Sequence, residues 1–179
     1  MCICQRTTEA FVIVCLYVDD LLIMGSSHDT IMDTKRMLNR NFDMNDMGTA
    51  DVILGTKISR TPDGIILSQS HYVEKVLKKF NALDSSPSKT PIDISVNLVA
   101  KKEEPVAQME YSRIIGNLMY MTNCTRPDLV YPVNILSRFT SNPSYEHWKT
   151  LTRVLNYLKY TLEYGLYYSR YPAVVGFRI

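Results

Sequence analysis

The chain has 179 residues, 46% of them apolar and 21% charged, which is enough for one sizeable domain or two small ones built around a core. Its formal net charge of +2 is too small to mark a nucleic-acid or membrane partner, so such a claim must rest on local basic clusters. No stretch approaches the roughly 20 uninterrupted apolar residues needed to span a bilayer.

The opening MCICQRTTEAFVIVC imitates a signal peptide, but it runs directly into two acids without a small-residue cleavage pattern. Cys2, Cys4, Cys15 and Cys124 lack zinc-finger spacing and do not form a disulfide framework, so they read as reduced thiols of a cytosolic protein. Residues 11–17 and 21–25 are short, apolar and β-branched, which predicts two strands of a hairpin buried on both faces. Ser26 or Ser27 can cap a helix from His28, with Asp29 in its first turn. Ile31, Thr34, Leu38 and Phe42 share one face of that helix, and Lys35, Arg36, Asn39 and Arg40 turn outward.

A second hairpin is expected over residues 51–69, turned by Pro62-Asp63-Gly64. SHYVEKVLKKF (70–80) predicts a helix with Tyr72, Val73, Val76, Leu77 and Phe80 inward. SSPSKTP (85–91) reads as a linker, and residues 93–105 are too polar and irregular to assign. The last third is expected to be helical. Helices are predicted over 109–121, over 125–139 with Pro132 kinking it or delaying its start, and over 142–162 with Ser144 as cap. Trp148, Leu151, Leu155, Leu158 and Leu162 form the apolar stripe of the last. Strands first and helices later is an α+β pattern.

Asp19 and Asp20 interrupt an apolar run. Adjacent aspartates between two strands ordinarily mean a tight turn. Like charges side by side repel, however, and flanking apolar strands would leave them little water. A divalent cation relieves both, since closely held carboxylate oxygens suit magnesium.

Tyr17-Val18-Asp19-Asp20 resembles the Y-x-D-D signature of reverse transcriptases, and FVIVCLYVDDLLIMGSS resembles the copia-type retrotransposon polymerase in particular. The likeness continues in family order through FDMNDMG (42–48), residues 53–80, TPIDISVNL (90–98) and residues 111–169. This resemblance implies a partial palm over 1–69, made of β-hairpins and a helix, then a helical thumb and connection lobe over 70–169 and the start of a ribonuclease H segment over 170–179. It implies nucleotidyl transfer with two Mg2+ (or Mn2+) ions, Asp19 being a metal-binding catalytic aspartate and Asp20 its acidic neighbour. Tyr17 and Val18 would lie near the primer end, and Leu54-Gly55 would form the primer grip. Lys75, Lys78 and Lys79, with His71 a turn earlier, would track phosphates, although a solvated helix face is the plainer reading. Trp148 and tyrosines 157, 160, 164, 167 and 168 read as core packing rather than base stacking. Arg126-Pro127-Asp128 reads as a structural helix start.

The family polymerase also needs an upstream palm aspartate and fingers, whereas Met1 stands almost at the motif. Val174-Val175-Gly176-Phe177 is followed by Arg178 and Ile179 in place of a hydroxyl residue and an acid. The expectation is therefore a polyprotein remnant or a truncated gene model, inactive alone. Its partners would be an RNA/DNA template–primer duplex and the missing polyprotein segments, with self-association through exposed palm edges. Its location would be the cytoplasm, in the virus-like particle of the parent element, or the nucleus. The competing expectation is a non-catalytic interaction or nucleic-acid-binding remnant. A secreted effector-like product is the least favoured.

Overall fold

The computed structural model describes residues 10–83, 85–93, 95–96, 98–99 and 107–169 in full, and residues 2–6 by main chain alone. The expected ribonuclease H start at 170–179 and most of the polar stretch 93–105 lie outside the described residues, as do the side chains of Cys2 and Cys4. The chain is α+β and forms two compact units, Met1–Ala50 and Asp51–Ile179.

The first unit is a three-stranded antiparallel sheet in the order β1 (Cys2–Arg6), β2 (Phe11–Tyr17), β3 (Asp20–Gly25), followed by helix α1 (His28–Asn41). β1 was not expected from its sequence. It pairs with β2 in a register running from Cys2 opposite Cys15 to Arg6 opposite Phe11. The base of the β2–β3 hairpin is closed by the Ser26 amide, which donates to the Phe11 carbonyl, and by the Phe11 amide, which donates to Ser26 Oγ, both at 3.1 Å. Ser27 caps α1 as expected, its hydroxyl accepting from the Asp29 amide at 3.2 Å.

Burial on both faces of this hairpin is not found. Val12 is its one buried residue among those described, and Phe11, Leu16 and Met24 are exposed. Within this unit, among the described residues, α1 is the one helix that packs on these strands, and a helix covers one face of a sheet, not two. Phe42 is likewise exposed, because α1 ends at Asn41 and Phe42 is already extended, with φ −138°.

The second unit combines an antiparallel sheet, β4 (Val52–Ile53), β5 (Thr56–Thr61), β6 (Gly64–Ser68) and β7 (Gly165–Ser169), with a helical bundle. Its helices are α2 (Ser70–Lys79), α3 (Gln108–Cys124), α4 (Val130–Ser137) and α5 (Tyr145–Tyr160). The core lies among the helices, where Val76, Leu77, Leu118, Leu136, Val154 and Leu158 are buried. Pro132 is the third residue of α4, where its missing amide leaves no bond unmade, and a 3-10 turn over Pro127–Leu129 carries the chain into it. The helix therefore starts late, one of the two outcomes that proline predicts.

Three expectations change here. The last third is not wholly helical, because Gly165–Ser169 returns as the edge strand β7 beside β6. The glycine of the Pro62-Asp63-Gly64 turn is not needed for a positive dihedral. Gly64 lies in β6 opposite Thr61 and Ser169, where a Cβ would stand 2.0 Å from the Tyr168 carbonyl oxygen. Of the tyrosines expected in the core, Tyr157 alone is buried; Tyr160, Tyr164, Tyr167 and Tyr168 are exposed, the last two because an edge strand is covered by no helix of the core cluster.

The presumed linker is strapped to α5. The Asn156 carbonyl accepts from the Ser88 amide at 3.2 Å, Lys159 Nζ donates to the Ser85 carbonyl at 2.8 Å, and Arg153 Nη2 donates to Thr90 Oγ1 at 2.8 Å. Main-chain and side-chain groups of α5 thus supply partners to a segment that forms no regular structure of its own.

Candidate metal and nucleic-acid site

The two aspartates sit at the tip of the first hairpin. Tyr17 pairs with Asp20, so the loop is two residues long, Val18-Asp19. Val18 has φ +51°, whereas Asp19 is not in the left-handed region. A positive dihedral at the first central position matches the hairpin turn that normally takes glycine there. For a β-branched residue it is an outlier that costs on the order of 1–3 kcal/mol. Tyr17, Val18, Asp19 and Asp20 are all exposed, Val18 at 77%. The expectation that the strands deprive the two acids of water is therefore wrong: they protrude beyond the strands that carry them.

Carboxylate oxygens at a fixed turn are the right donor type for a hard divalent cation. No group of three His, Cys, Asp or Glu side chains able to hold a metal is found among the described residues, so the two acids would supply only part of a coordination shell.

The other anticipated contact residues belong to the second unit. Leu54-Gly55 is itself a two-residue hairpin loop joining β4 to β5, with φ +50° at Leu54 and +70° at Gly55. Two successive positive dihedrals give the turn whose twist matches antiparallel strands, and glycine is required at the second for that reason. The tip is exposed, yet its Leu54 carbonyl accepts a hydrogen bond from the Tyr120 hydroxyl on α3. Tyr120 had no sequence signal beyond its place on a predicted helix. On α2, Lys75, Lys78 and Lys79 are exposed with His71, opposite the buried Val73, Val76 and Leu77. Lys79 Nζ also stands 5.3 Å from the Phe80 ring centroid.

Arg126 and Asp128 form the structural joint that their sequence suggested. Arg126 is 1% exposed and forks onto Asp128, with Nε–Oδ1 3.1 Å and Nη2–Oδ2 2.8 Å. Burial pushes the Asp128 carboxyl up, but the hydrogen bonds and charge of Arg126, with a bond from Tyr157, hold it below the usual aspartate value.

The family model described as reverse transcriptase (RNA-dependent DNA polymerase) matches residues 2–94, and the chain belongs to that family. It is 41% identical over 160 residues to the retrovirus-related Pol polyprotein from transposon TNT 1-94 of Nicotiana tabacum, covering 84% of this chain and 12% of the polyprotein. It is 36% identical over 152 residues to the mitochondrial protein AtMg00810 of Arabidopsis thaliana, covering 85% of this chain and 63% of that protein. It is 35% identical over 159 residues to the Pol polyprotein from transposon RE2 of Arabidopsis thaliana, covering 87% of this chain and 11% of the polyprotein. The copia-type likeness read from its motifs is thus the likeness its relatives carry. No solved structure matches. No described helix is long and apolar enough to cross a membrane.

Proposed function

We propose that this chain is the portion of a copia-type reverse transcriptase that carries the Y-x-D-D hairpin, the primer-contacting turn and the thumb and connection helices. The observation that supports it best is the hairpin tip. Val18 holds a backbone conformation unfavourable for valine, and Asp19 and Asp20 beside it are exposed. Strain kept at an acidic turn with no packing role is what a functional site would retain.

In this reading Asp19 and Asp20 would hold Mg2+ or Mn2+ through their carboxylate oxygens, and the ion would supply activation of a primer 3′-hydroxyl and charge neutralisation of a triphosphate. Tyr17 and Val18 lie beside the primer end, Leu54-Gly55 brings main chain close to the primer strand, and Lys75, Lys78 and Lys79 meet phosphates. Two neighbouring carboxylates provide fewer ligands than a pair of hexacoordinate ions needs, so the remaining ligands come from other parts of a Pol polyprotein. The chain alone binds metal weakly and does not extend a primer. Its setting is that of the parent element, in cytoplasm or nucleus, with the RNA/DNA template–primer duplex as partner.

The test is Mn2+ titration of the chain, followed by nuclear magnetic resonance of the main-chain amides. Selective broadening at residues 17–21 that disappears in Asp19→Asn supports the reading. Uniform broadening at every surface carboxylate overturns the metal assignment, and primer extension by the isolated chain overturns its inactivity.

A further inference from the structure

We infer that Tyr120 is a positioning residue that latches the Leu54-Gly55 turn to the helical bundle and so fixes the main chain offered to a nucleic-acid strand. The inference rests on the proposed function for the role of that turn, but the latch itself rests on geometry alone.

A two-residue loop with both dihedrals positive is intrinsically favourable only when glycine or asparagine fills both central positions. Here the first position is Leu54, at φ +50°. The strand on its N-terminal side, β4, is only Val52–Ile53, extended by one further main-chain bond from the Ile58 amide to the Asp51 carbonyl at 2.7 Å and by the exposed Arg60–Asp51 ion pair at 3.2 Å. Neither Val52 nor Leu54 anchors the tip by burial, since both are exposed. An isolated hairpin of this kind would fray.

The tip itself is held from the helices. Tyr120 lies on α3 one position before Met121 and two after Leu118, both wholly buried. Its main chain is therefore fixed by the core. Its ring meets Tyr72 of α2 edge-on, with centroids 5.1 Å apart and planes at 73°. Tyr72 is in turn fixed by its hydroxyl, which donates to Asn117 Oδ1 at 2.8 Å. From this braced position the Tyr120 hydroxyl donates to the Leu54 carbonyl. The same oxygen would stand 3.5 Å from a Cβ placed on Gly55, an ordinary contact. The hydroxyl thus touches the loop without crowding it, and the conformation, not a clash, sets the need for glycine at Gly55. The bond uses the Leu54 carbonyl, so it leaves the tip amides available to a ligand.

The experiment compares the chain with Tyr120→Phe, which removes one oxygen and keeps the ring on Tyr72, and with Tyr72→Phe as a second variant. Amide exchange at Ile53 and Thr56 reads the turn, and binding to a primer–template duplex at two salt concentrations reads the site. Loss of one such bond should accelerate exchange at the turn by about three- to tenfold and weaken duplex binding by a similar factor. The helical unfolding midpoint and the salt slope should hold, since no phosphate contact is removed. Tyr72→Phe should quicken exchange at Ile53 and Thr56 less than Tyr120→Phe does, because it loosens the brace but keeps the bond to the Leu54 carbonyl. Unchanged exchange in Tyr120→Phe overturns the latch. Faster exchange with unchanged duplex affinity overturns the positioning role. Absence of duplex binding by the parent chain overturns the proposed function and the positioning role with it, while exchange still decides the latch.

Discussion

The buried guanidinium of Arg126 reaches the far end of helix α5, donating from Nη2 to the Thr161 hydroxyl at 2.6 Å and from Nη1 to the Thr161 carbonyl at 3.2 Å. Thr161 is the residue on which α5 ends, and its hydroxyl donates onward to the Tyr157 carbonyl at 2.8 Å. One side chain therefore ties the 3-10 turn before α4 to the carbonyl end of α5, where a positive charge is favoured by the helix dipole. Its plane is also flanked by the rings of Tyr157 and Tyr164, 5.7 and 5.6 Å away.

Replacing Arg126 by alanine should destabilise the second unit by about 2–3 kcal/mol, since it removes a buried guanidinium and leaves both Thr161 acceptors without it. Arg126→Lys should recover little, because an ammonium cannot fork onto Asp128 and Thr161 together. Urea unfolding followed by tryptophan fluorescence measures both, Trp148 lying against the core. A loss below about 0.5 kcal/mol would mean that the cluster is a surface ornament.

The same pair has an acid signature. The folded carboxyl of Asp128 is held below its ordinary value, so its contribution is complete above the unfolded pKa of about 3.9 and fades as pH falls through the folded value. Stability of the parent should therefore drop on acidification below about pH 4 more steeply than that of Asp128→Asn. Parallel curves for the two proteins in urea midpoints against pH would contradict the pairing.

Val18→Gly should stabilise the first hairpin. Relief of about 1–3 kcal/mol of strain is offset by about 1 kcal/mol of extra unfolded-chain entropy, leaving a gain on the order of 1 kcal/mol. Slower amide exchange across β2 and β3 is the readout. If exchange quickens, the valine conformation is not strained as its dihedral implies.

The strap over residues 82–93 should open when its anchors on α5 are removed. Lys159→Met takes away the donor to the Ser85 carbonyl and Asn156→Ala the side-chain partner of the Ser85 hydroxyl; each should cost about 1 kcal/mol. Limited proteolysis should then cut between Ala82 and Pro91 faster than in the parent, with cleavage elsewhere unchanged. Uniform sensitivity across the chain would argue for general loosening.

If Lys75, Lys78 and Lys79 each neutralise a phosphate, changing all three to glutamine should reduce the slope of log affinity against log salt by up to about 2.7. An unchanged slope in filter binding would return them to the plainer reading of a solvated helix face.

Much of the scaffold could be read from local rules. The cap at Ser27, the late start imposed by Pro132 and the inward stripe of α5 follow from hydrogen-bonding capacity and helical period, which act over a few residues. What escaped depends on partners distant in the chain. β7 reads as an aromatic continuation of a helical region until β6 is there to pair with it, and the strap reads as a linker until Asn156 and Lys159 face it. At the candidate site the two acids were legible as an anomaly and their resemblance gave them a role. Their exposure was not legible, because apolar neighbours say nothing about whether a turn projects past them. Tyr120 was invisible for the same reason: its hydroxyl acquires meaning only once Leu54 lies beneath it.

The pairing of β7 with β6 has one more consequence. Gly165 to Ser169 lie side by side with Ser68 to Gly64, so the strand that covers β6 is synthesised only after every described helix of the unit. A nascent or shortened chain stopping before Gly165 would not merely lack a tail. It would offer the Gly64–Ser68 strand, with Ile65, Ile66 and Leu67 in its middle, as a naked template for annealing to other chains.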